Sequence, residues 1–401
     1  MTVPAVFPDD RAARLSDEPK TYKKLELNLS RNRKQDHTAL LDGSAAAFDY
    51  AACKDSMWNP EEYSLLYGTP LWDGASEKQR VLLNQLYWVA YYAQIISAEI
   101  ATIYFNQTSA TGLYGLEDFR LVCDTLDLES GQERAHIHAF KTVSDQVERE
   151  LFGARVFTYP MRGPFASTMI FDDKGPFQEM WRQLQLRTYG LLSAGNAFIG
   201  CQYFTVRGLR TLNGKMVQQA LSSFHQNLDD RDNAPIPTRI SYYHFMDESF
   251  HFNSSRIIGH DVVRCLPAPT AFERMVANLT VHGCQRDHGR FSIAVRGLFW
   301  HDPATFGAVW RVLRSPAFGF SHADALEMLR RCYGEENRAI HEAQALHQTA
   351  IESYARYLED LPWMDATNRE MRIMRRATLA SYLKTNRDAL ARFTPPAPAL
   401  A

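Results

Sequence analysis

The chain has 401 residues, of which 45% are hydrophobic and 22% charged, and carries a formal net charge of −2. This length and apolar content are enough for a large buried core and exclude a disordered chain. A charge so near zero, with no basic block beyond Tyr22-Lys23-Lys24 and Arg31-Asn32-Arg33-Lys34, argues against a nucleic-acid partner.

Residues 1–60 mix polar residues, prolines and short apolar clusters without a sustained period and are expected to form an extended arm around the body. The first ten residues lack a basic stretch followed by an apolar one, which argues against secretion. The six cysteines stand singly with no Cys-x-x-Cys spacing, so neither a zinc knuckle nor a disulfide framework is expected, and a reducing cytoplasm fits best. A first long helix is expected from the Ser76-x-x-Gln79 capping box to about Asn106. Its apolar run from Leu86 to Phe105 carries Gln94 and Glu99, which favours a buried bundle helix over a membrane span.

A Thr/Ser/Gly-rich loop over 108–115 leads to a second helix over about 116–152, with a break expected near Ser130-Gly131. Residues 153–176, rich in Pro and Gly, read as an irregular excursion. A third helix is expected over about 177–212, where glycines at 190, 195 and 200 allow close approach of a neighbour. After a polar loop over 227–237, a fourth helix ends near Cys265, before two prolines. The last third reads as helices over about 270–297, 303–315, 321–358 and 366–392, followed by a frayed Pro/Ala-rich tail. The organisation expected is all-α: an arm over 1–60, a helical bundle over 61–265 and packed C-terminal helices over 266–401.

Chemistry concentrates on these helices. His244, Glu248 and His251 follow one another at steps of four and three, so they share a helical stripe. A second Glu-x-x-His pair, Glu133 and His136, lies on the second helix, and Glu99 lies in an apolar stretch of the first, where an isolated buried carboxylate is costly. Two Glu-x-x-His pairs and further carboxylates on facing helices are the donor pattern of a two-metal carboxylate bundle, for which iron is expected and manganese is the alternative. Asp247 either anchors an imidazole through its second nitrogen or is solvated. His138 points away from His136. His341, Glu342 and His347 read as a solvated face, and His260-Asp261 as structural.

The stretches Thr69-Pro-Leu-Trp72 through Ala98-Glu99, Glu133-Arg-Ala-His136 and His244-x-x-x-Glu248-x-x-His251 resemble the p-aminobenzoate N-oxygenase family of ferritin-like di-iron proteins. The resemblance covers roughly residues 65–262. It implies a ferritin-like four-helix core with two iron ions held by Glu99, Glu133, His136, His244, Glu248 and His251. Dioxygen would be co-substrate, a small amine would be N-oxygenated, an external donor would supply electrons, and the chain would form a homodimer. The family's third helix carries a further Glu, for which the best counterpart here is Asn196. Asn offers a neutral carbonyl oxygen but not a carboxylate's charge, and Glu179 and Gln202 lie at other levels of the helix. The same fold and donors also suit oxidation at carbon, such as hydroxylation or desaturation, or a non-catalytic metal-binding bundle.

Overall fold

The computed structural model describes residues 14–116, 118–157, 175–288 and 305–395. Among them are fourteen α-helices and no strand, as expected for an all-α chain. Of the segment expected to form an extended arm, residues 1–13 lie outside the described residues, and the described part is helical rather than extended. Pro19, in the first turn, starts α1 (Pro19–Lys34), and α2 (Thr38–Ala46) follows after a short turn. The buried stripe of α1 is Thr21, Leu25, Asn28, Leu29 and Asn32. Its spacing is helical, but three of its five members are polar, which hides the period in the sequence.

Beyond the short α3 (Pro70–Gly74), α4 (Glu77–Tyr114) begins at the capping box: Gln79 N donates to Ser76 Oγ at 3.4 Å and Ser76 N to Gln79 Oε1 at 2.9 Å. Residues 83–93 of α4 are buried on every side. The two amides in that run are used, since Asn84 Oδ1 accepts from Trp58 N at 2.8 Å and Gln85 Nε2 donates to Lys54 O at 2.9 Å. No helix of the described residues is long and apolar enough to cross a membrane. The helix runs through the expected loop at 108–115, because the hydroxyls of Thr108 and Thr111 bond back to carbonyls of their own helix and cost it no backbone bond.

Helix α5 (Arg120–Phe152) shows no break at Ser130-Gly131, where Ser130 Oγ donates to Leu126 O at 2.7 Å, and it ends at Gly153 in the left-handed region, φ 64°. The expected third helix is two, α6 (Gly175–Gly195) and α7 (Ala197–Gln226), with Asn196 as the cap between them. At Gly190 a Cβ would fall 2.2 Å from Tyr104 Oη, so a larger residue there would require that ring to move. Helix α8 (Ile236–Arg256) passes into a π-helical turn (Ile257–Asp261) and a 3-10 turn (Val262–Cys265). Gly259 in that turn lets the α7 backbone come close, for a Cβ would meet Thr205 N at 2.7 Å.

The bundle is built from α4, α5, α7 and α8, with α1 and α2 laid against α5 and α8. The C-terminal helices are α9 (Ala271–His288), α10 (Phe306–Arg314), α11 (His322–Cys332), α12 (Arg338–Leu358), α13 (Ala366–Arg369) and α14 (Leu379–Arg392). The expected helix over 321–358 breaks because Asn337 caps α12, accepting from Ile340 N at 3.2 Å and donating to Cys332 O at 2.8 Å. The helix expected over 366–392 breaks into α13 and α14, the latter capped by Thr378. Residues 158–174, 289–297 and the Pro/Ala-rich tail from 396, for which expectations were stated, lie outside the described residues. None of the six cysteines is in a disulfide.

Apolar side chains form two clusters, one around Trp58, Trp88, Tyr92 and Phe140, the other around Phe119, Phe204, Ile258 and Tyr354. Along α4, α5 and α8 a set of inward residues is buried and polar: Glu99 and Asn106 on α4, Glu129, Ser130, Gln132, Glu133 and His136 on α5, and His244, Asp247, Glu248, His251, Ser254 and Ser255 on α8. Such a layer is costly unless its members satisfy one another or a ligand.

Candidate metal centre

Helices α5 and α8 run antiparallel through this layer, and their two Glu-x-x-His stripes face each other. Residues Glu99, His136, His244 and Glu248 have donor atoms within 4.8 Å of one another, as do Glu133, Glu248 and His251. Glu248 belongs to both groups. Its Oε1 lies 2.8 Å from His251 Nδ1, 3.8 Å from His244 Nε2 and 3.9 Å from His136 Nδ1. Glu133 also spans the groups, with Oε1 3.3 Å from His251 Nδ1 and Oε2 3.3 Å from His136 Nδ1. All six donor residues are at most 8% exposed.

The imidazoles of His136 and His251 turn Nδ1 toward the carboxylates and Nε2 outward, and each outer nitrogen meets the residue preceding the other motif's Glu. His136 Nε2 lies 3.3 Å from Asp247 Oδ2, and His251 Nε2 lies 2.9 Å from Gln132 Oε1. Asp247 is therefore buried rather than solvated. It is held in turn by His37, whose Nδ1 is 2.7 Å and whose backbone N–H is 3.3 Å from Oδ1. Gln132 is held by a reciprocal amide pair with Asn32, at 2.8 and 3.0 Å. Sequence reasoning missed His37, Asn32 and Gln132. The repeated arrangement Gln/Asp-Glu-x-x-His in both motifs was the available signal.

Charge is unevenly distributed. Burial pushes Glu99 well above the usual carboxylate range, against the pull of His136. Burial acts the same way on Glu133, but His251 and His136 beside it outweigh that and hold it low. His136 and His251 are raised despite burial, by Asp247, Glu133 and Glu99 for the first and Glu248 and Glu133 for the second. Burial and the neighbouring His136 push His244 well below the usual imidazole range. Asp247 is brought down to about 2, where its bonds to His136 and His37 exceed the effect of its burial.

One turn beyond the second group lies a buried cation that sequence reasoning also missed. Arg207 on α7 donates to Glu129 Oε2 at 2.7 Å, Ser255 Oγ at 2.6 Å, Ser254 Oγ at 3.0 Å and the carbonyl of His251 at 3.1 Å. It fixes the backbone that carries His251 and balances Glu129.

Asn196 is not brought to the cluster. Its Oδ1 accepts from Ile199 N at 2.9 Å as the cap of α7 and its Nδ2 donates to Glu273 Oε1 at 2.7 Å, so both ends of the amide are used. Helix α7 packs antiparallel to α4, with Tyr203 Oη on Thr102 Oγ1 at 2.9 Å and Ser109 Oγ on Gly200 O at 3.2 Å. The start of α7 thus sits beside residues about ten positions past Glu99, about 15 Å along the axis. Gln202 is engaged elsewhere, accepting from Trp363 Nε1 at 3.2 Å. The side chain of Glu179 lies outside the described residues. His138 is exposed, and His260 packs edge-on against Tyr357. His347 corrects the expected solvated face: it is buried at 4% exposure with Nε2 on Met374 O at 3.1 Å, while His341 and Glu342 are exposed.

The residues present fit a metal. Both oxygens of buried Glu99 and both ring nitrogens of buried His244 make no hydrogen bond, though Glu99 Oε1 and His244 Nε2 are 3.2 Å apart. A cation between them would satisfy both, and a set of carboxylates and imidazoles is what iron or manganese accepts. Fold and site together define a helical bundle with a buried carboxylate–imidazole donor cluster. The family model of the CylC-like acyl halogenases matches residues 20–394, and the chain belongs to that family, a group of oxidative enzymes. The match takes in α1 and α14, well beyond residues 65–262, on which the resemblance to the N-oxygenases rests, and it names a different family from theirs. No curated protein and no solved structure matches the chain significantly.

Proposed function

We propose that the protein is an iron-dependent oxidative halogenase acting at a carbon of an acyl substrate. The observation that carries this reading is the inequality of the two donor groups, taken with the family match. One position has Glu99, His136, His244 and Glu248, and the other has only Glu133, Glu248 and His251. A cation held by three protein side chains leaves more of its coordination to exogenous groups, among them a halide.

When bound, an iron pair supplies reductive activation of dioxygen. The chain's own residues do the rest. Glu133 and Glu248 hold the two positions together, and Asp247 and Gln132 fix the tautomer and direction of the imidazoles. Phe140 and Tyr92 pack against His244 at ring distances of 5.0 and 5.6 Å and exclude water from the first position. In the overall reaction a C–H bond breaks and a carbon–halogen bond forms. Dioxygen is reduced to water by electrons from the oxidised C–H and halide and from an external donor.

The test is incubation of the iron-loaded protein with reductant, oxygen, chloride or bromide, and acyl thioesters of varied chain length. The expected product has one hydrogen replaced by halogen. Hydroxylated acyl product with halide present would move the reading to carbon oxygenation. N-oxidised product from an aryl amine offered in parallel would restore N-oxygenation, which His244, one turn before Glu248, favours by resemblance.

A further inference from the structure

The two Glu-x-x-His imidazoles are backed by unlike partners, and both partners are held by the N-terminal helices. His136 leans on a carboxylate, Asp247, which is fully buried and fixed by His37 at the start of α2. His251 leans on a neutral amide, Gln132, fixed by Asn32 on α1, and both amides are at most 1% exposed. With Nδ1 toward a cation, each Nε2–H donates outward. A carboxylate acceptor makes an imidazole a stronger donor to metal than an amide does, because it stabilises positive charge on the ring.

We infer that the N-terminal helices set the difference in strength between the two metal positions, with His37 and Asn32 as the positioning residues, His37 acting through Asp247 on His136 and Asn32 through Gln132 on His251. The inference rests on the metal-binding reading above. It gives α1 and α2 a part in the chemistry: they decide that the position containing His136 is the tight one and the position containing His251 the weak one. The neutral backing adds to what the smaller donor set already does, leaving the second cation more weakly held and its exogenous ligands more readily exchanged.

The test uses the full-length chain, titrated anaerobically with Fe(II) by calorimetry and with Co(II) by visible absorption, which reads the coordination of each ion directly. Wild-type protein should show two binding events of unequal strength. His37→Leu should weaken the tight event by about ten- to a hundredfold and leave the weak one in place. His37→Asn, whose amide nitrogen can stand where Nδ1 stands, should restore the tight event. Gln132→Glu, which gives His251 an anionic partner that Asn32 can still donate to, should tighten the weak event by about tenfold or more. Equal behaviour of His37→Leu and His37→Asn, or no change of either event in Gln132→Glu, overturns the inference while metal binding stands. No uptake by the wild-type chain overturns the metal reading itself. Circular dichroism of each variant separates loss of fold from loss of positioning, and Gln132→Glu decides the matter if His37→Leu does not fold.

Discussion

The two ends of the buried donor layer differ in how their charge is met. At the first, His136 is backed by Asp247, but Glu99 and His244 make no hydrogen bonds, and an aromatic wall closes the side. At the second, Glu133 and His251 adjoin a satisfied polar network of Arg207, Glu129, Asn106, Ser254 and Ser255. The first end has the fuller donor set and is arranged as though a cation were to complete it, whereas the second has fewer donors and rests on a network that fixes the backbone carrying His251. The contrast teaches that burial of polar groups alone does not mark a metal site; unsatisfied carboxylate and imidazole atoms that face one another are the stronger sign.

The sharpest way to break the comparison is Glu248→Ala, since Glu248 serves both groups. Its expected outcome is loss of both ions by elemental analysis, whereas Glu99→Ala should lose one and keep the other. Equal losses in the two variants would mean that the positions are not separable. Next in size is Arg207→Met, which strands the Glu129 carboxylate in the interior. Breaking a buried pair from one side costs about 3–5 kcal/mol, so chemical denaturation should show a loss of that order with the Glu99 end intact. A change below about 1 kcal/mol would show that the network is not holding the second end.

Protons sharpen the comparison further. Without metal, His136 and His251 hold protons above the usual imidazole range because carboxylates surround them. A metal must displace those protons, so uptake should release protons into the buffer and the apparent affinity should rise with pH. Titration in buffers of different ionisation enthalpy reads the number released, and pH-independent uptake would contradict the arrangement. The smallest effect concerns Asn196→Ala, expected to cost about 1 kcal/mol as a lost cap while metal content stays the same. Loss of an ion in that variant would return Asn196 to the donor set.

Much of this was legible in the sequence because the donors obey helical spacing. The stripe of His244, Glu248 and His251, the pair Glu133 and His136, and Glu99 in an apolar run each follow from local periodicity, and the structure brings all six together. The capping box at Ser76 likewise places the start of α4. The expected third helix over 177–212 puts Asn196 within the helix, whereas an Asn after glycine is also a helix-cap signal, and the structure uses it as one. The N-terminal helices escaped notice for a physical reason: α1 buries Asn28 and Asn32 in its inward stripe, so its pattern reads as polar. His37 contacts Asp247 across 210 positions in the chain, a pairing no local pattern reveals.

The most direct test of the account is the number and inequality of bound metals, read by anaerobic Fe(II) titration of the wild-type chain followed by elemental analysis. Two ions per chain, bound in two resolved steps of different strength, is the result predicted. One step for both ions, or less than one ion per chain, would contradict it.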